Sequence, residues 1–206
     1  IPKDVQLARV AVSEPSSIDR SPDLRVQERD VAKPAAYGEA IRLIHDAERP
    51  LLYVGGGVVK ARSHQLLRQF ADRHTIPVTT TLMALGALPA DHPLNLGMLG
   101  MHGARSTNMA IDECDLLIAI GARFDDRATG RTDRFARNAR IVHIDIDERE
   151  LGKIISPTVA ICDDAGAALA KLIALVQPRR RIAWSRRIAQ LRRMHGLHKP
   201  NDCDAC

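Results

Sequence analysis

The run Leu116-Leu117-Ile118-Ala119-Ile120 is apolar without alternation, and it constrains the fold more than any other stretch of the chain. A strand with one wet face alternates apolar and polar residues, whereas an unbroken apolar run belongs to a strand covered on both faces. Around it, short apolar runs alternate with helical patterns. Ala40, Leu43, Ile44 and Ala47 recur at i, i+3, i+4, i+7 and mark a first helix, from a domain start at Pro34. Leu51-Leu52-Tyr53-Val54 is a strand ending in Gly55-Gly56-Gly57, and a helix with Leu66, Leu67 and Phe70 on one side follows. Pro77-Val78-Thr79-Thr80-Thr81 is a second strand, then a Gly-rich loop over 86–103 leads into a helix over 106–113. Ile141-Val142-His143-Ile144-Asp145 and Val159-Ala160-Ile161-Cys162 are further strands. The last is followed by a helix with Ala165, Ala168, Leu169, Leu172, Ile173 and Val176 on one face. Strand, helix, strand, helix with short connections predicts an α/β fold: a Rossmann-like, mostly parallel sheet with helices on both faces.

With 206 residues the chain suits one domain with polar flanks. Residues 1–33, with Ser13, Pro15, Ser16, Ser17, Ser21 and Pro22, read as a linker; 34–178 form the compact domain, and 179–206 a basic linker or tail. The net charge of +5 gathers in that last segment, at Arg179, Arg180, Arg181, Arg186, Arg187, Arg192 and Arg193. A localised run of this kind reads as a solvated helix or linker. Aromatics make up only 3%, too few for base-stacking platforms, so a nucleic-acid partner is not expected. No stretch has the roughly 20 apolar residues of a membrane span. The chain starts at Ile1 with no signal peptide, as a piece of a longer protein would. Cys114, Cys162, Cys203 and Cys206 make no disulfide framework, which points to a reducing cytoplasm.

Ligands of such sheets bind outside the carboxyl ends of the strands, so the residues there come first. Gly55-Gly56-Gly57 follows a strand and precedes a helix, allowing backbone to approach a phosphate or ribose. It lacks the G-x-G-x-x-G spacing, and a plain strand-to-helix turn accounts for it equally. Gly121-Ala122-Arg123-Phe124-Asp125-Asp126-Arg127 follows the most apolar strand. Its two arginines could hold a pyrophosphate bidentately, or pair with Asp125 and Asp126 at the surface. Leu99-Gly100-Met101-His102-Gly103 joins an imidazole to a thioether between glycines, a group suited to packing on a planar ring, or an ordinary Gly-rich loop. His143-x-Asp145-x-Asp147 could face a metal from one side of a strand. A core histidine with a strand-end acid for a ribose or adenine is the simpler account. His195, His198, Cys203 and Cys206 are zinc-type ligands, but a polar terminal segment with a single Cys-x2-Cys reads as a tail. A P-loop and a G-x-S-x-G elbow are both absent, and no strand-end acid is set up as a general base. Binding parts outnumber catalytic ones, and no catalytic or metal-binding residue is assigned.

Read in order, these blocks resemble one family, the catalytic large subunits of acetohydroxyacid synthase (acetolactate synthase). The resemblance covers about residues 34–176 plus the opening Ile1-Pro2-Lys3-Asp4-Val5-Gln6, and it also includes Thr80-Thr81-Leu82-Met83 and Val142-His143-Ile144-Asp145-Ile146-Asp147. It implies the central domain of a thiamine-diphosphate enzyme, holding FAD in an extended form. Carried over by position, Gly55, Gly56 and Gly57 approach the ribityl and phosphate region. Thr81, Leu82 and Met83 line the flavin side together with Gly100, Met101, His102 and Gly103. Gly121, Arg123 and Arg127 flank the phosphates and ribityl chain, Asp145 and Ile146 hold the adenosine, and Asp164 and Ala165 close over the adenine. The family commonly has Gly-Asp at this last point, where this chain has Asp163-Asp164.

The resemblance further implies a parent enzyme using thiamine diphosphate and Mg2+ to join pyruvate to pyruvate or 2-oxobutyrate, on the route to branched-chain amino acids. FAD takes no net redox part in it. The thiamine machinery would lie in flanking domains of the same chain, so this segment alone is expected to be inactive. A homo-oligomer and a regulatory small subunit are the implied partners. Glyoxylate carboligase shares the domain, and an NAD- or FAD-binding module without a synthase role, such as a sirtuin-like domain, is the alternative from another class.

Overall fold

The computed structural model describes residues 34–195. The expected linker over 1–33, and His198, Cys203 and Cys206 of the tail, lie outside them. Six strands form one sheet: β1 (Pro50–Val54), β2 (Val78–Thr80), β3 (Asn95–Met98), β4 (Leu116–Ile120), β5 (Arg140–Asp145) and β6 (Val159–Cys162). Their order is β3-β2-β1-β4-β5-β6, with every pairing parallel. This is the doubly wound arrangement, in which the chain winds outward from β1 in one direction and then from β4 in the other. The change of direction leaves a switch point between the carboxyl ends of β1 and β4.

Alternation along the strands explains why β4 carries no polar residue. Ile118 and Ile120 join Leu52, Val54, Val142 and Ile144 in one core layer. Leu117 and Ala119 join Leu51, Tyr53 and Ile141 in the other. The first layer is covered by α1 (Pro34–Asp46), α3 (His64–His74) and α6 (Ala165–Leu175). The second is covered by α4 (Arg105–Glu113) and α7 (Ile182–His195). Each expected strand is present. The expected helix after the glycines is two, a short α2 (Gly56–Lys60) and α3, because Arg62 takes a left-handed φ of 50° between them. A further short helix, α5, spans Asp126–Thr129.

Two elements differ from the expectation. The Gly-rich stretch 86–103 contains a strand, β3, whose pairing with β2 shifts register between Val78 and Thr80. The basic segment carries, over Ile182–His195, a packed helix with a buried face rather than a solvated one. Trp184, Ile188 and Leu191, spaced i, i+4, i+7, are buried, and Trp184 Nε1 donates to Pro50 O at 2.9 Å. Arg187 forks onto Glu113 of α4 at 2.8 and 2.6 Å. Arg181 is itself buried, donating to Ala47 O at 2.9 Å, to His74 O at 3.0 Å and to Ile44 O. Those carbonyls lie at the C-terminal ends of α1 and α3, where helix carbonyls lack intrahelical partners and the dipole is negative. One guanidinium therefore closes two helices. Burial lowers its pKa to about 10, leaving it charged at neutral pH.

Candidate functional site

The carboxyl edge is built around the switch point. Gly55 N–H donates to Ile120 O and Gly57 N–H to Gly121 O, each at 3.0 Å, so the turns after β1 and β4 are joined backbone to backbone. A Cβ on Gly55 would lie 2.1 Å from Gly121 O. The sequence leaves these glycines open between a phosphate and a plain strand-to-helix turn, and the structure packs Gly55 and Gly57 against the backbone of the neighbouring turn. Gly56 instead abuts Met83, whose Cβ would lie 3.2 Å from an added Cβ. The Thr81 N–H donates to Val54 O at 2.9 Å, bringing the 81–83 segment beside the glycine turn.

The 100–103 segment meets the arginine segment from the other side. Gly100 has φ +81°, and a Cβ there would lie 2.2 Å from Arg127 O. Asn108 of α4 holds this turn, accepting from Gly100 N–H at 2.8 Å and donating to Gly100 O at 2.9 Å. Gly103 is equally confined, against Met98 O. The Gly121 N–H donates to Ile144 O at 2.8 Å, and the Asp163 N–H donates to Asp145 O at 3.1 Å. The edge is thus continuous from β3 to β6, five inter-strand spacings or about 24 Å.

Large apolar side chains stand in solvent along this edge: Leu82 is 68% exposed, Met83 72%, Met101 74% and Ile146 49%. His102, Arg123 and Arg127 are exposed beside them. Arg123 lies 3.5 Å from Asp125 with both side chains largely in water, a pair worth little. Arg127 has no ion pair among the described residues. Beneath the edge the buried hydroxyls of Thr80 and Thr81 meet no partner among those residues.

At the β5 and β6 ends the acids are partly occupied. Asp145 accepts from Asp147 N–H at 2.9 Å, which shapes the turn and leaves its second oxygen free of partners among the described residues. Asp164 caps α6, accepting from the N–H groups of Gly166 and Ala167, with Ala165 buried beneath it. Asp163 points away from the edge toward α1, accepting from Tyr37 OH and Lys171 Nζ, each at 2.7 Å. Burial pushes its carboxyl up, but these hydrogen bonds hold it below the usual range. The extra acid therefore ties α1 to α6 instead of crowding the edge. His143 is buried, with Nε2 3.0 Å from Ala122 O, and no three potential ligands gather as a metal site among the described residues.

A cavity of 530 Å3 lies at the opposite, amino-terminal edge, between Thr75, Pro77, Pro93 and Ile188, away from these residues. One of 470 Å3 opens beside Gly100, Met101 and Arg127. The residues singled out at the strand ends sit on this open carboxyl edge. Asn108 and Tyr53 were not singled out from sequence. A tyrosine within a strand covered on both faces is a usable signal, because its hydroxyl must find a partner inside the fold.

Residues 38–172 match the family model described as "Thiamine pyrophosphate enzyme, central domain". The chain belongs to this family. As a central domain of a thiamine pyrophosphate enzyme, it is 47% identical to the acetolactate synthase isozyme 1 large subunit of Escherichia coli (strain K12), over 99% of this chain and 35% of that protein. It is 44% identical to the isozyme 2 large subunit of the same organism, over 100% of the chain and 36% of the relative. With the acetolactate synthase large subunit of Corynebacterium glutamicum the identity is 50%, over 84% of the chain and 27% of the relative. The chain spans about a third of the length of the curated relatives it matches. No helix among the described residues is long and apolar enough to cross a membrane.

Proposed function

We propose that this domain holds FAD in an extended form along the carboxyl edge of its sheet, as the central domain of an acetolactate synthase large subunit. The observation that carries the reading is the row of exposed Leu82, Met83, Met101 and Ile146 beside Arg123 and Arg127. A patch of large apolar side chains standing in solvent marks a surface that something covers, and the arginines beside it suit a ligand that is apolar at one end and anionic at the other. The residues fit that group in order. Leu82, Met83 and Met101 pack on the flavin ring and exclude water from it, with Thr81, Gly100, His102 and Gly103 around them. Gly56, Gly121, Arg123 and Arg127 meet the ribityl chain and phosphates, and the arginines neutralise the charge. Asp145 accepts from a ribose hydroxyl, and Ile146, Asp164 and Ala165 flank the adenine.

In the intact enzyme, thiamine diphosphate with Mg2+ supplies the decarboxylation and carbon–carbon bond chemistry that condenses pyruvate with pyruvate or 2-oxobutyrate. The role proposed for this domain is to bind and orient the cofactor. The whole enzyme is a cytoplasmic homo-oligomer with a regulatory small subunit. Isothermal titration of the flavin-free full-length protein with FAD tests the cofactor reading: stoichiometric binding is expected, and none would overturn it. A product assay with pyruvate against glyoxylate tests the activity, since preference for glyoxylate would assign the domain to a carboligase instead.

A further inference from the structure

Tyr53, Ala119 and His143 form one row across three strands. Tyr53 pairs with Ala119 in the β1–β4 register, and Ala119 with His143 in the β4–β5 register. All three face the same side of the sheet. The small methyl of Ala119 leaves a gap between two rings, and Phe124 fills it. Its ring centroid lies 5.6 Å from that of Tyr53 and 5.0 Å from that of His143, the latter nearly edge-on at 83°. The polar ends of the two flanking rings then reach successive carbonyls of the turn above. Tyr53 OH donates to Arg123 O at 2.9 Å, and His143 Nε2 lies 3.0 Å from Ala122 O. A carbonyl only accepts, so His143 carries its proton on Nε2. Its Nδ1 is then an acceptor, buried without a partner among the described residues.

These two carbonyls belong to the peptide planes on either side of the Arg123 Cα. A peptide unit is planar, so fixing its carbonyl fixes the whole unit. With both units tethered, the φ and ψ of Arg123 are restrained, and so is the direction in which its side chain leaves the turn. A position needed only for packing would be served by Phe and Leu, without burying a phenol and an imidazole. Burial raises the tyrosine pKa and lowers that of the histidine, which favours the neutral form of each.

We propose that Tyr53 and His143 are positioning residues that pre-set the Arg123 turn for the phosphates of the cofactor. This rests on the FAD reading above. Their contribution is pre-organisation: the turn is held in its binding shape before the ligand arrives, so little ordering is left to offset binding.

The test uses the full-length protein with Tyr53→Phe, which keeps the ring, His143→Leu, which removes the donor, and His143→Gln, which restores an N–H at the Nε2 position. FAD affinity is read by flavin fluorescence, and hydrogen exchange of the 122–127 amides is read in the flavin-free protein. Tyr53→Phe and His143→Leu are each expected to weaken FAD by roughly tenfold. They should also speed exchange in that segment, and His143→Gln should recover most of both. Wild-type affinity and exchange in Tyr53→Phe would overturn the proposal even if His143→Leu folds poorly. If the wild type binds no FAD, the cofactor reading falls and the proposal with it. If the wild type binds and the variants bind equally well, the positioning role alone falls.

Discussion

A Cβ added to Gly57 would lie 2.6 Å from the Gly121 Cα, so the turns after β1 and β4 pack through two bare backbones. Gly57→Ala must push these turns apart and is expected to cost about 3 kcal/mol in urea unfolding, with loss of FAD binding. Gly38 serves as the control. It lies inside α1 with nothing within 4 Å of an added Cβ, so Gly38→Ala should stabilise by up to about 1 kcal/mol. Equal effects from the two substitutions would refute the close-packing account.

His74 is fully buried, its ring 4.7 Å from that of Phe70, and neither ring nitrogen has a partner among the described residues. Burial, helped by Arg181 and Arg73, holds its pKa down to about 4 against an ordinary 6.5. Between those values the unfolded chain binds the proton and the folded one does not. Stability therefore falls as pH drops from 6.5 toward 4, by up to ~3 kcal/mol. His74→Phe should be no less stable at pH 7 and should lose this part of the acid sensitivity. Parallel stability–pH curves for the two proteins would show the assignment to be wrong.

Arg181→Met should leave the carbonyls of Ile44, Ala47 and His74 without their shared donor. The expected loss is about 3 kcal/mol, seen as a fall of roughly 6–12 °C in thermal midpoint. Arg181→Lys should recover less than half, because an ammonium cannot span carbonyls of two helices as a guanidinium fork does. A midpoint within about 2 °C of wild type would count against the clamp.

Met83→Ser and Met101→Ser remove side chains that stand in solvent at the carboxyl edge. Stability without flavin should stay within about 0.5 kcal/mol of wild type. FAD affinity should fall about tenfold for each, the loss expected when a methionine no longer buries its surface. Unchanged affinity in both variants would place the ring elsewhere.

The legible parts of the fold were those where one force decides. β4 has no polar residue and lies at the middle of the sheet, and α6 repeats its apolar face from Ala165 to Ile173. β3 was hidden because Leu96 alone among its four residues is buried and Gly97 has a positive φ. The packed face of α7 was masked by arginine, although Trp184, Ile188 and Leu191 carry a helical spacing. At the site, the blocks that resemblance places along one cofactor do come together on one edge. What sequence could not separate is a glycine that serves a ligand from one that serves a neighbouring turn. Gly55 and Gly56 are adjacent, yet one is packed against Gly121 and the other against Met83. Nor does a histidine in a strand announce which carbonyl it will meet.

The α7 packing bears on where this domain can be cut. A piece ending at residue 178 would keep all six strands yet shed Arg181 and Trp184, uncapping two helices and baring the Pro50 end of β1. Any excised version intended for flavin titration or crystallisation should therefore run through at least His195, or its behaviour will report the cut rather than the domain.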